Sequence, residues 1–205
     1  MKVLWFAVNP SLYDAHRNGE HNGGGWIASL EKIIRTSENI RLGVAFEHPD
    51  PIFKKEIDGV CYYPIRVKPG LRRRIYASEK DKIIIADCLK VIEDFKPDII
   101  HVFGSEWGFG LVEKYVDIPV VIHMQGSLPP YVNASYPPGY NFFTQWKTSH
   151  YNPIVLLKRR FVWSRNDNYK VAREIDILKH CRYVMWRTNW DYNITRLYAP
   201  DSQYY

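Results

Sequence analysis

Met1-Lys2-Val3-Leu4-Trp5-Phe6-Ala7-Val8 is an apolar run of strand length, and Asn22-Gly23-Gly24-Gly25-Trp26 follows it as the opening of a helix. Three glycines at a helix start expose backbone amides with no Cβ in the way, and the helix end adds partial positive charge. Such a site suits a phosphate or another anion. The alternative is a glycine-rich connection that only lets the helix pack closely on a sheet. Gly23 to Ala28 also matches G-x-G-x-x-A, with Glu47 closing the next strand where a ribose-binding acid would sit. That dinucleotide fingerprint wants its first glycine in a tight turn directly after the strand. Here the fourteen residues from 9 to 22 intervene. No Lys-Ser/Thr follows the glycines, so a P-loop is excluded.

Working outward, strand-like and helix-like segments alternate. A helix is predicted over 24–36, with Ile27, Leu30 and Ile34 on one face, and a strand over 40–46. Residues 53–57 and 60–67 flank Asp58-Gly59, a two-residue hairpin signal. A long amphipathic helix over 78–95 stops at Pro97-Asp98. A strand at 99–103, a short helix near 107–115 and a strand at 119–124 come next. Residues 128–149, rich in Pro, Tyr, Asn and Phe, read as a long irregular segment. Helices near 153–164 and 169–180, a strand at 182–188, a helix at 189–198 and a strand-like Gln203-Tyr204-Tyr205 complete the chain. Repeated βα units with short connections mean a mostly parallel sheet with helices on both faces. Ligands of such sheets bind beyond the carboxyl ends of the strands. The crevice is therefore expected around residues 9–25, 104–108, 125–131 and 188–190.

The 205 residues suffice for one sizeable α/β domain, and 46% hydrophobic content argues against disorder. Seven Trp and fifteen Tyr lean toward surfaces that contact sugars, bases or lipids, although many such rings fill cores. The net charge of +6 suits anionic partners. Cys61, Cys88 and Cys181 are far apart and odd in number, as in a reduced cytoplasmic protein. No signal-peptide pattern and no membrane-length apolar run is present.

Gly104-Ser105-Glu106-Trp107-Gly108 has Glu106 where a nucleophile elbow needs serine, so hydrolase chemistry is not expected. At a strand end, Glu106 suits hydrogen bonds to a hydroxyl-rich ligand or the role of a base; it equally suits the start of a helix. His101 and His123 lie within apolar strands, where a core role competes with a functional one. Gln125-Gly126-Ser127 sits just past its strand, facing the crevice. The histidines show no metal-ligand spacing and no carboxylate cluster, so no metal site is expected. Residues 71–76 and 156–163 mix basic and apolar residues. A helix over 153–164 with one apolar side suits peripheral contact with a membrane surface, or is an ordinary surface helix with snorkelling Lys and Arg. Neither a recognition helix nor an RNP-like motif is present, so no nucleic-acid partner is expected.

Taken together, the opening strand, the delayed Gly23-Gly24-Gly25-Trp26-Ile27-Ala28, Pro97-Asp98-Ile99-Ile100-His101-Val102-Phe103-Gly104 and Ile118-Pro119-Val120-Val121-Ile122-His123-Met124-Gln125-Gly126 resemble the N-terminal domain of a retaining, family 4 (group 1) glycosyltransferase of the GT-B fold. Arg187-Thr188-Asn189-Trp190-Asp191 looks like the segment that closes this domain. The resemblance covers almost the whole chain. It implies one Rossmann-like, acceptor-side domain over 1–205, without the second domain that holds most of the nucleotide-sugar and carries E-x7-E. Such a half-enzyme is expected to be inactive alone. The resemblance also implies a nucleotide-sugar donor as substrate, no resident cofactor, and a glycan or lipid-linked acceptor, as in polysaccharide biosynthesis at the inner face of a membrane. Gly23, Gly24 and Gly25 would approach the donor diphosphate. Gln125, Gly126 and Glu106 would line the sugar and acceptor cleft, with Tyr131 and the aromatic stretch after it shaping the acceptor site. Many relatives have His-Gly where this chain has Gln125-Gly126, and Gln cannot accept a proton near neutral pH. The catalytic role therefore stays open among Gln125, Glu106 and His123. An NAD-dependent oxidoreductase domain and a non-catalytic module binding glycan or membrane are the alternatives.

Overall fold

The computed structural model describes residues 1–13, 25–49, 53–66 and 77–205. Among them, eight strands form one sheet: β1 (Lys2–Ala7), β2 (Arg41–Glu47), β3 (Lys55–Ile57), β4 (Val60–Ile65), β5 (Ile99–Phe103), β6 (Val120–His123), β7 (Tyr183–Met185) and β8 (Gln203–Tyr204). Their order across the sheet is β3-β4-β2-β1-β5-β6-β7-β8. All neighbours are parallel except the β3–β4 hairpin, which turns at Asp58-Gly59 as expected. β1 lies between β2 and β5, with Trp5 opposite Val44 on one side and His101 on the other. Strand order reverses there, so the crevice of an open α/β sheet falls at the carboxyl ends of β1 and β5.

Side chains alternate between two cores because successive strand residues point to opposite faces. Leu4, Phe6, Ile100, Val102, Val120 and Ile122 pack against helix α2 (Ala77–Phe95), a 3₁₀ helix (Gly108–Tyr115) and Ile177 and Leu178 of α6 (Ser164–His180). Gly43 of β2 makes room for Phe95, since a Cβ there would stand 3.0 Å from the ring. Val3, Trp5, Ala7, Val44, Phe46 and Tyr62 face the other way, under α1 (Gly25–Ile34). The expected stripe of Ile27, Leu30 and Ile34 packs there. It is joined by Glu31, which is fully buried, accepts from Tyr62 Oη, and takes Arg35 Nε at 2.9 Å. This carboxylate also receives the Leu12 amide at 3.3 Å, fastening the segment after β1 to α1.

Two expectations fail. Residues 128–149 are not irregular throughout: they hold α3 (Leu128–Asn133) and α4 (Phe142–Thr148). Proline sits in the first turn of α3, where its missing N–H costs nothing. Asn141 caps α4 by accepting from the Thr144 amide at 3.0 Å. Nor does the chain break between two helices at 164–169. α5 (Pro153–Leu157), a π-helical stretch (Lys158–Trp163) and α6 run on without interruption, since 164–169 contains neither Pro nor Gly. The last helix is α7 (Asn189–Tyr198), capped by Thr188, which accepts from the Asp191 amide at 3.2 Å.

Candidate functional site

Three loops meet beyond the carboxyl ends of β5, β6 and β7. After β5, Gly104 adopts φ +92°, a conformation that favours glycine, and turns the chain so that Glu106 folds back over it. A Cβ on Gly104 would stand 2.5 Å from Glu106 Oε2, and one on Gly126 would stand 2.7 Å from Glu106 Oε1. The carboxylate therefore lies between two glycines, one from each loop, and neither position admits a side chain while it stays there. Gln125 lies alongside, its Cγ 3.5 Å from where a Gly104 Cβ would be. Glu106 Oε2 and Gln125 Nε2 are both buried with no protein hydrogen-bond partner. The third loop contributes Arg187, whose guanidinium donates to the Gln125 carbonyl and stands 3.8 Å from Asp191. Burial pushes the Glu106 pKa above the ordinary carboxylate value, while its own backbone N–H and the Arg187 and Arg173 charges pull it back.

The crevice is held by a charge network that the sequence reading did not find. Arg173 of α6 donates through one nitrogen to both oxygens of Asp81, at 2.9 Å each, and through another to the Glu106 carbonyl. Both ionic side chains are almost completely buried. Gly108 is needed here as well, because a Cβ would meet Asp81 Oδ1 at 2.5 Å. The next residue, Glu174, is fully buried; it accepts from Ser105 Oγ at 2.6 Å and from the Leu128 amide at 2.7 Å. It thus joins the loop after β5 to the start of α3. Burial raises its pKa, and the Ser105 and Leu128 donors oppose that rise. A cavity of about 180 Å³ opens beside this network, lined by Glu47, Lys80, Glu106, Trp107, Lys170 and Arg173 among others. Glu47 pairs with Lys80 at 2.7 Å.

Of the expected site residues, Glu106, Gln125 and Gly126 come together as one cluster. Gly23 and Gly24 lie outside the described residues, as does the basic stretch 71–76. Gly25 is described, with φ +47°, and starts α1. Trp26 then rests on Phe103 and His123 at ring distances of 5.2 and 5.3 Å, which brings the start of α1 to the ends of β5 and β6. His123 belongs to an aromatic cluster: it stacks on His101, and His101 Nε2 and His123 Nδ1 are 3.2 Å apart. Burial lowers both pKa values, that of His101 to about 3, so both rings are neutral at neutral pH and one donates to the other. Tyr131 stands on α3, 74% exposed.

The network could have been sought in one place only. Arg173-Glu174 sits in a helix of many charges, 164–180, which reads as a solvated face. Asp81 is 92 positions away, and nothing local links the two.

No protein-family model and no curated protein sequence matches the chain. Solved structures do match in fold. A sucrose-phosphate synthase from Thermosynechococcus elongatus superimposes with a TM-score of 0.63 and 10% identity, over 100% of this chain and 47% of that one. A shortened form of the same synthase gives 0.55 and 9%, over 100% and 87%. A ugt transferase from Siraitia grosvenorii in complex with UDP gives 0.51 and 10%, over 100% and 47%. The chain spans about half the length of the full synthase and of the ugt transferase. The mostly parallel, Rossmann-like α/β fold of this chain is shared with about half of the full synthase and of the ugt transferase.

Proposed function

We propose that this chain is the acceptor-side domain of a retaining glycosyltransferase that moves a hexose from a nucleotide-sugar to a glycan or lipid-linked acceptor, with no resident cofactor. The observation that carries the reading is the Glu106 cradle. A carboxylate and a carboxamide, each with one buried atom that has no protein partner (Glu106 Oε2 and Gln125 Nε2), meet at the mouth of a sheet whose fold is shared with glycosyltransferases. Leaving such atoms unmet costs about 1–3 kcal/mol each, and sugar hydroxyls, which donate and accept, satisfy both.

In this reading Glu106 accepts from an acceptor hydroxyl and Gln125 holds a sugar hydroxyl. The acceptor oxygen bonds to the anomeric carbon as the bond from that carbon to the donor phosphate breaks. The acceptor proton passes to the departing phosphate oxygen, so no side-chain base is required. The absence of a base fits Gln125, which cannot take a proton, and His123, which is engaged with His101. The amides of Gly23, Gly24 and Gly25 steady the diphosphate, and Tyr131 and the residues after it shape the acceptor site. The second wall of the cleft belongs to another domain, and this half alone is expected to be inactive.

The test is saturation-transfer NMR of the full chain with a panel of mono- and disaccharides. Sugar signals are expected for the native protein and are expected to vanish for Glu106→Ala. Gly126→Ala is expected to weaken them by forcing the carboxylate aside. Signals untouched by both substitutions would remove the assignment. Fluorescence quenching by NAD(H) without any sugar signal would return weight to an oxidoreductase domain.

A further inference from the structure

Among the described residues, the stretch from 131 to 163 is dense in exposed apolar side chains. Tyr131, Tyr136, Phe142, Phe143, Ile154, Leu157, Phe161 and Trp163 are all more than half exposed. Ile154, Leu157 and Phe161 recur at spacings of three and four, which puts them on one side of the α5–π helix. Monomeric proteins rarely leave a patch of this kind uncovered without a use for it.

The same stretch has an unusual charge. No Asp or Glu occurs from 118 to 166, while Lys147, Lys158, Arg159, Arg160 and Arg165 do. These five cations nearly equal the net charge of +6 of the whole chain, so the remainder is close to balance. The cations are interleaved with the rings. The Arg159 guanidinium lies 5.7 Å from the centre of the Trp163 ring, and that of Arg160 lies 5.7 Å from the Phe142 ring, which links α4 to the long helix.

We infer that the exposed surface of residues 131–163 is a docking surface for an anionic lipid membrane. Aromatic rings with polar edges settle at headgroup depth, and Lys and Arg beside them meet anionic headgroups. A second copy of this chain fits poorly, because a self-complementary contact through this face would bring four cations, Lys147, Lys158, Arg159 and Arg160, against four. The contact is peripheral, since no helix among the described residues is long and apolar enough to cross a membrane. The surface is also wider than the helix over 153–164 that the sequence suggested, because α3 and α4 contribute to it. It adjoins the crevice directly: α3 begins at Leu128, two residues after Gly126, with its first amide held by Glu174. The inference does not depend on sugar transfer, and its test is separate from that of the Glu106 cradle.

The full chain is sedimented with vesicles of phosphatidylcholine alone and with vesicles containing phosphatidylglycerol. Binding is expected with the anionic vesicles and is expected to fall steeply with salt. The triple variant Lys147→Glu, Lys158→Glu, Arg160→Glu should bind them about a hundredfold more weakly, at about 1 kcal/mol per basic residue removed. Leu157→Ser with Phe161→Ser should weaken binding while leaving the circular dichroism spectrum unchanged. In the native protein, lipids brominated near the headgroup should quench tryptophan fluorescence, a readout that needs no variant. Absence of binding to anionic vesicles, binding unaltered by both variants, or a concentration-dependent dimer that the serine variant abolishes would each overturn the inference.

Discussion

The floor of the crevice and the exposed segment at 131–163 are built on opposite plans. At the floor, charges are inside: Asp81, Arg173 and Glu174 are buried and fix the two loops after β5 and β6 through hydrogen bonds. In the exposed segment, rings are outside, and the local structure rests on asparagine caps at Asn141 and Asn152 and on cation–ring contacts. The difference shows where precision is needed. Buried ion pairs fix geometry but tolerate no loss of a partner, whereas an outward-facing apolar surface can change in detail without disturbing the fold.

The contrast is broken most severely at Arg173. Arg173→Met leaves Asp81 buried without its cation and is expected to cost about 3–5 kcal/mol, read from urea unfolding. Adding Asp81→Leu should recover much of that loss, since an apolar pair replaces a lone charge. If the single variant unfolds like the native protein, the crevice does not depend on this pair.

A second test uses pH. Glu113, on the 3₁₀ helix, accepts the Arg182 amide at 2.9 Å, and burial pushes its pKa up to about 7. The folded state then holds a proton that the unfolded chain, with a pKa of about 4.3, has already released. The stabilisation is fully present below the unfolded value and is lost as pH rises toward 7. The melting temperature of Glu113→Gln, measured from pH 4 to 8, should decline less over that window than that of the native protein. Parallel curves would show that Glu113 titrates alike in both states.

The smallest effect is expected in the exposed segment. Phe161→Ser removes a ring that is 67% exposed and should change stability by less than about 0.5 kcal/mol. A loss of several kcal/mol would mean that the ring is structural.

The same contrast explains what could be read from the sequence. Strands such as Ile99–Phe103 are legible because continuous apolar residues flanked by turn signals admit few other readings. Asn189–Tyr198 is legible from its cap and its apolar spacing. Residues 128–148 are not, because Pro, Gly and Tyr mask two helices of six and seven residues, each too short to show a period. At the site, Glu106, Gln125 and Gly126 could be named from their position past strand ends. Why Gly104, Gly108 and Gly126 must be glycine could not, since the atoms that exclude a Cβ belong to Glu106 and Asp81. Arg173 and Glu174 were invisible because their burial is set by partners far away in the chain.

The position of β1 has a consequence for how the chain reaches this fold. It precedes the other described strands in the chain and ends in the middle of the sheet, yet Val3 pairs with Ile99, 96 positions later. During synthesis one edge of this apolar strand has no partner until β5 has left the ribosome. The β3–β4 hairpin and the β1–β2 pair can form earlier from nearer segments. Closing so long a loop in a parallel sheet is slow, and a nascent chain waiting with that edge open is the species most exposed to aggregation. A premature stop before residue 99 would therefore leave an insoluble fragment rather than a smaller folded domain.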